Sequence, residues 1–213
     1  MTLSREQALE TLQTYLVAGE RLKATSFLAD ALINNGFVQA AALFNDAQGK
    51  EIAPDVWMSA ITTIEDTPEG SVIDNVLYSP HNCHLMGVYP NEEDDEPEFT
   101  YSIGLWYNFQ HPEILCVGLP NRVSGGLINE YAQEIAEGNA PPLDTPLDGV
   151  LADGYQLQFK LCSNKAKTEY TCWASWFNGG LHYPVIQMIW QDKEYRWPWE
   201  EGFRPIQAQP LLT

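Results

Sequence analysis

Apolar positions along the chain follow two regimes. Up to about residue 70 they recur at helical spacing. Ser4, with Gln7 three residues later, makes a capping-box start, and Leu9, Leu12 and Leu16 follow on one helical face. A second helix is expected from about Glu20 through Leu28, Leu32 and Ile33, with Gly36 at the left-handed position that ends many helices. Phe37 to Phe44 reads as either a strand or a helical continuation, and Asp46-Ala47-Gln48-Gly49 as a turn. A third helix is expected from about Pro54, carrying Val56, Trp57, Ala60, Ile61 and Ile64.

After Gly70 the pattern changes to strands. Leu85 to Tyr89 is a short apolar run. Phe99, Tyr101, Ile103 and Leu105 then alternate with Thr100, Ser102 and Gly104, as in a strand with two unlike faces. Ile114 to Leu119 is apolar without alternation and fits a central strand covered on both sides, and Val185 to Trp190 reads as another buried strand. Tyr155, Leu157, Phe159 and Leu161 alternate with polar residues, which predicts a strand wet on one face. Asn121 is placed to cap a helix carrying Leu127, Ile128, Tyr131 and Ile135 and ended by Gly138, while Tyr170 to Phe177 reads as a short aromatic helix. The fold class is α+β. A helical N-terminal region over 1–70 precedes, over 71–213, a mostly antiparallel sheet packed with one or two helices.

Composition adds a core and removes several partners. Hydrophobic residues make up 45% of the 213 and aromatics 12%, enough to bury a core. No apolar run approaches the roughly 20 residues of a membrane-spanning helix, so no membrane partner is expected. The polar, amphipathic N-terminus reads as no signal peptide. Four cysteines without a C-x-x-C fit reduced thiols in a cytoplasm. With 29 Asp+Glu against 11 Lys+Arg the net charge is −18, which repels nucleic acid. The excess is concentrated: positions 51–121 hold thirteen carboxylates and no Lys or Arg. Six of them, Glu92, Glu93, Asp94, Asp95, Glu96 and Glu98, lie in one loop. That loop lacks the ligand spacing of an EF-hand, so no calcium is expected there.

Several short motifs occur in one order. They are Phe99-Thr100-Tyr101-Ser102-Ile103-Gly104-Leu105, His111-Pro112-Glu113-Ile114 and Val117-Gly118-Leu119-Pro120, followed by Tyr183-Pro184, Gln187, Trp190-Gln191-Asp192, Pro198-Trp199 and Gln207. Over about residues 75–212 this series resembles the bacterial domain-of-unknown-function 4262 family. The resemblance implies where the core lies and nominates positions, but it implies no reaction.

Candidate chemistry is sparse. His111-Pro112-Glu113 has the H-x-E spacing of zinc deaminases without their P-C-x-x-C, and it reads more simply as a turn opened by Pro112 with His111 and Glu113 capping the strand that follows. His81-x-Cys83-His84 brings at most two ligands to one strand face, short of a metal site. No phosphate loop, nucleophile elbow or zinc-protease motif is present, and no metal or cofactor is expected. Gln187 sits inside an apolar strand, where a buried amide needs partners. Trp173, Trp176, Trp190, Trp197 and Trp199 read as covering the core edge rather than as a ligand platform.

Two functions follow from these features. The leading expectation is a non-catalytic binding module whose acidic face docks a basic protein, as an immunity protein masks a toxin. Glu92 to Glu98 would supply attraction, and Trp106 and Tyr107 buried anchors. The competing expectation is a hydrolase-like enzyme with Tyr101, His111, Glu113, Gln187 and Asp192 in one cleft, His111 as base and Glu113 as its orienter.

Overall fold

The computed structural model describes residues 3–47, 54–90 and 96–213. It divides into two compact units, one of Met1–Leu77 with Trp176–Gly180, the other of Tyr78–Ser175 with Leu181–Thr213.

The first unit is helical. α1 (Arg5–Val17) begins with the expected capping box, Ser4 Oγ accepting from Gln7 N–H and Gln7 Oε1 from Ser4 N–H. α2 (Arg21–Asn35) ends at Gly36, whose φ is +84°. Phe37 to Phe44 continues as helix, within α3 (Phe37–Ala47), because Phe37, Ala40, Leu43, Phe44 and Ala47 recur at helical spacing and are all buried. α4 (Pro54–Thr63) starts at Pro54 as read, and Trp57 stacks on Phe44 with ring centroids 5.3 Å apart. The reading of strands directly after Gly70 fails. α5 (Pro68–Tyr78) occupies that stretch and buries Val72, Ile73 and Val76. Gly70 is no breaker here but a point of close approach. A Cβ on it would lie 1.9 Å from Ile64 O, which already accepts from the Thr67 N–H and hydroxyl.

The second unit is built on a five-stranded sheet in the order β1-β2-β3-β5-β4. Its strands are β1 (His84–Val88), β2 (Phe99–Ile103), β3 (Glu113–Val117), β4 (Leu157–Leu161) and β5 (Val185–Trp190). Three of the four pairings are antiparallel, and β3 with β5 is parallel. The class is therefore α+β with a mostly antiparallel sheet. The helices are α6 (Leu105–Phe109), α7 (Asn121–Ala136), α8 (Asn164–Tyr170) and α9 (Cys172–Asn178). α8, capped by Ser163, has no counterpart in the sequence reading.

Residues paired across strands share a sheet face. Gly87, Thr100, Cys116, Met188 and Phe159 form one such row, and Met86, Tyr101, Leu115, Gln187 and Lys160 the row on the other face. α7 covers the first, packing Leu127, Ile128, Ala132 and Ile135 into a cluster with Ile114, Cys116, Phe159, Ile186 and Met188. The polar face of β2 is therefore not wet. Thr100 and Ser102 are both buried, with Thr100 bonded to Ser124 and Asn121 of α7. Nor is β4 wet as expected, since Gln158 is buried and its apolar end, Leu161, is exposed.

The C-terminal residues strap onto this sheet through two buried amides. Gln187 Nε2 donates to Pro210 O at 2.7 Å and its Oε1 accepts from Leu212 N–H at 3.0 Å. Gln209 does the converse, accepting from Trp190 N–H and donating to Trp190 O, both at 2.9 Å. Each amide supplies the donor and acceptor that an adjoining strand would offer.

Candidate functional site

Tyr89 and Glu98 flank the end of the β1–β2 pair at which Val88 faces Phe99. Of the loop acids, Glu92, Glu93, Asp94 and Asp95 lie outside the described residues. Glu96 is exposed. Glu98 is half-buried and already employed, its Oε2 accepting from Asn121 N–H at 2.8 Å at the start of α7, where a carboxylate suits the helix dipole. Asn121 is not the cap expected of it. It sits in the first turn and reaches outward, accepting from Thr100 Oγ1 at 2.7 Å and donating to Val88 O at 3.1 Å. These bonds tie Val88 of β1, Glu98 and Thr100 of β2 to the start of α7. Tyr170 stands in the same field: burial raises its pKa, and Glu96 and Glu169 raise it further.

Trp106 and Tyr107 are elsewhere. They follow the other end of β2, on α6, with Trp106 half-buried and Tyr107 exposed, a strand length of roughly 17 Å from the Phe99 end. An exposed aromatic directly after β1 is Tyr89, 75% accessible. Its place as the residue that ends the apolar run before the acidic loop was the signal that could have named it.

In the first unit, Glu65, Asp66 and Asp74 are exposed around α4 and α5. Among the described residues none of the exposed acids Glu65, Asp66, Asp74 and Glu96 makes an ion pair; Asp55 does, with Arg21.

Glu113 is the chemically unusual carboxylate. It is fully buried at the start of β3 and accepts from Ser102 Oγ at 2.6 Å and from the N–H groups of Gly104, Leu105 and Trp106 at 2.8, 3.2 and 3.1 Å. Burial raises its pKa, and the four donors only partly offset that. Its partners come from the β2–α6 junction, so it caps that junction and not its own strand. His111 is half-buried, with Nδ1 2.7 Å from Pro112 O and its pKa lowered by burial.

The other three proposed cleft residues are likewise held by backbone. Tyr101 Oη accepts from Trp173 N–H at 3.4 Å, and burial pushes its phenol up. Gln187 holds the strap. Asp192 accepts from the N–H groups of Glu194, Arg196 and Arg204 at 2.9, 2.9 and 2.8 Å; burial pushes its carboxyl up, but these donors and the Arg196 charge pull it below its ordinary value. Tyr101 and Gln187 share a row with Leu115 between them. None of the hydrogen bonds described for the five side chains joins two of them.

The thiols differ sharply in access. Cys83, Cys116 and Cys162 are buried, and burial lifts each pKa to about 12, whereas Cys172 is exposed. A disulfide reagent such as Ellman's should therefore modify one thiol of the native protein and all four after unfolding, and Cys172→Ser should abolish the native reaction. Modification of two or more native thiols would contradict this burial pattern. Among the described residues no group of three or more His, Cys, Asp and Glu is arranged to hold a metal, and no helix is long and apolar enough to cross a membrane. Of the C-terminal tryptophans, Trp190 and Trp197 are buried, while Trp199 is exposed and stacks on Trp197 at 5.2 Å.

No curated protein and no solved structure matches the chain. A family model described as "Domain of unknown function (DUF4262)" matches residues 79–204, which contain the sheet, Glu113 and its donors, and the acidic loop. The match covers more than half the chain, and the protein belongs to the DUF4262 family.

Proposed function

We propose that this protein is an acidic protein-binding module of the cytoplasm, docking a basic protein partner at the loop end of the β1–β2 pair, as a bacterial immunity protein covers the active site of a toxin. The reading is carried by one observation: thirteen carboxylates and no Lys or Arg over positions 51–121, where among the described residues the exposed Glu96 makes no ion pair. Unpaired surface acids repel one another and cost stability, while creating a field that speeds capture of a cationic surface. Tyr89 supplies an exposed aromatic anchor at the loop. A reducing compartment keeps the four thiols free, as they are here.

The test is kinetic. A partner captured on the immobilised protein is measured by stopped flow at about 20 mM and about 500 mM salt, where screening differs several-fold in range. Association should slow by tenfold or more at high salt, on the scale of steered encounters. Changing Glu92, Glu93, Asp94, Asp95 and Glu96 to Gln or Asn should give the slow rate at both salts. A salt-independent rate, or one indifferent to those substitutions, would overturn the reading.

A further inference from the structure

The chain treats the two outer edges of its sheet differently. β4 is covered by the segment just before it: Asp144 N–H donates to Phe159 O at 2.8 Å, and Leu147 exchanges bonds with Leu157 at 2.8 and 3.1 Å. At the other edge, the pairing fixes where the backbone groups of β1 point. Gly118 N–H donates to Glu98 O at 2.9 Å and Val117 faces Phe99. By antiparallel alternation Thr100 therefore turns its groups to β3, while Phe99, Tyr101 and Ile103 turn theirs to β1. Their partners Val88, Met86 and His84 bond inward, which leaves Leu85 and Gly87 turned outward. Among the described residues no hydrogen bond reaches the backbone N–H or C=O of Leu85 or Gly87 from outside the sheet.

Proteins disarm an open edge with a bulge, a lysine, a proline or an inward charge, and β1 has none of these. It pairs with β2 through five consecutive residues, and His84-Leu85-Met86-Gly87-Val88 holds no Lys, Pro or acid. Gly87 is exposed, with no side chain to shield its outer groups. A glycine inside a strand often marks the close approach of another backbone. One face of the strand is already walled. Leu85 packs on the core beneath α7, and a Cβ on Gly125 of that helix would lie 3.5 Å from Leu85 Cδ1. A segment laid along β1 would thus run beside a helix as well as a strand.

We propose that the outer edge of β1 takes an extended, Lys- or Arg-bearing segment of the partner protein as an added strand. This rests on the acidic-module reading and names how the partner is held. Leu85 and Gly87 each offer one N–H and one C=O, which bind any extended backbone, and charge selects among the candidates. Positions 51–121, β1 and β2 included, hold thirteen carboxylates and no Lys or Arg, so a cationic strand is drawn in. Pairing β1 with β1 of a second copy would set that same stretch, and a net charge of −18, against its like.

The probe is a peptide of about eight residues, lysine alternating with valine, the length of an ordinary strand, titrated into ¹⁵N-labelled full-length protein. In the free protein, amide hydrogen exchange should be fast at Leu85 and Gly87 and slow at Met86 and Val88, which bond inward. Saturating peptide should slow Leu85 and Gly87 on the order of tenfold. The same peptide N-methylated at every amide keeps its charge but loses its donors, and should bind about tenfold more weakly. Glutamate in place of lysine should abolish binding. Gly87→Pro removes one outward donor at a place an edge strand tolerates, and should also weaken the peptide about tenfold. No saturable binding, equal binding of the methylated or the glutamate peptide, or bound peptide that leaves Leu85 and Gly87 unprotected would each overturn the edge assignment. So would protection of those two amides that rises with the concentration of the protein alone, the mark of a second copy. The acidic-module reading is judged apart, by salt: a captured partner slowed by salt that leaves both amides exchanging freely would remove the edge and keep that reading.

Discussion

Replacing Glu113 by alanine should lower the free energy of unfolding by on the order of 3–5 kcal/mol, the range seen when one side of a buried charged network is removed. The reason is the number of groups left behind. Ser102 Oγ and the N–H groups of Gly104, Leu105 and Trp106 all lose their acceptor, the first three of them at buried positions. Ser102 would suffer twice, since its Oγ also accepts from Ile114 N–H at 2.9 Å and so helps hold β3. Glu113→Gln keeps one oxygen and should cost about half as much. Equilibrium unfolding in urea decides the matter, and a loss under about 1 kcal/mol for the alanine variant would mean the junction does not depend on this carboxylate. The pH dependence has a definite sign. Burial raises the folded-state pKa above that of the unfolded chain, so the folded protein holds the proton more tightly. The Glu113 contribution should therefore be most favourable at low pH. It should decline as pH rises from about 4.3 through the raised folded value, then level off. Wild type minus Glu113→Gln, followed across that window, isolates the slope.

Gly70→Ala and Gly126→Ala should have opposite signs although both glycines are helical. At Gly70 the added Cβ falls 1.9 Å from Ile64 O and 2.9 Å from Glu65 Cα, both backbone, so α5 must move off the corner it packs on. Forced rearrangement of this kind costs about 1–3 kcal/mol. At Gly126, inside α7 and exposed, nothing lies within 4 Å, and alanine should stabilise by roughly 0.5–1 kcal/mol through helix propensity. Thermal midpoints moving in the same direction would show that the α4–α5 corner is looser than its geometry implies.

The same glycine shows where sequence reading stops. Gly70 was legible as a glycine but not as a contact, because the Ile64 carbonyl over it is set by how two helices cross. Strands β3 and β5 were legible because an uninterrupted apolar run needs cover on both faces, and the structure buries every residue of both. α8 was not, since Asn164–Tyr170 carries mostly polar side chains and owes its start to a single serine cap. Alternation marked β2 correctly but hid the fate of its polar face, because Thr100 and Ser102 find hydroxyl, amide and carboxylate partners that arrive from α7 and β3. Of the candidate residues, Glu113 was nominated by its H-x-E spacing from His111, yet its donors lie in a segment whose turn is visible only in three dimensions. Trp106 and Tyr107 were paired with the acids by nearness in sequence, and β2 carries them to its far end.

The strand order has a consequence for biosynthesis. β5 lies between β3 and β4, yet it is made after both, and Glu113 waits for Val185. Among the described strands β4 pairs with β5, apart from single bridges to Leu143 and Leu147, so while the chain is still growing on the ribosome the sheet stays in two pieces. Closure comes late, with apolar edges of β3 and β4 bare until then, and long-range pairing of this kind is slow. A nascent chain stalled before β5 emerges is the form of this protein most in need of a chaperone.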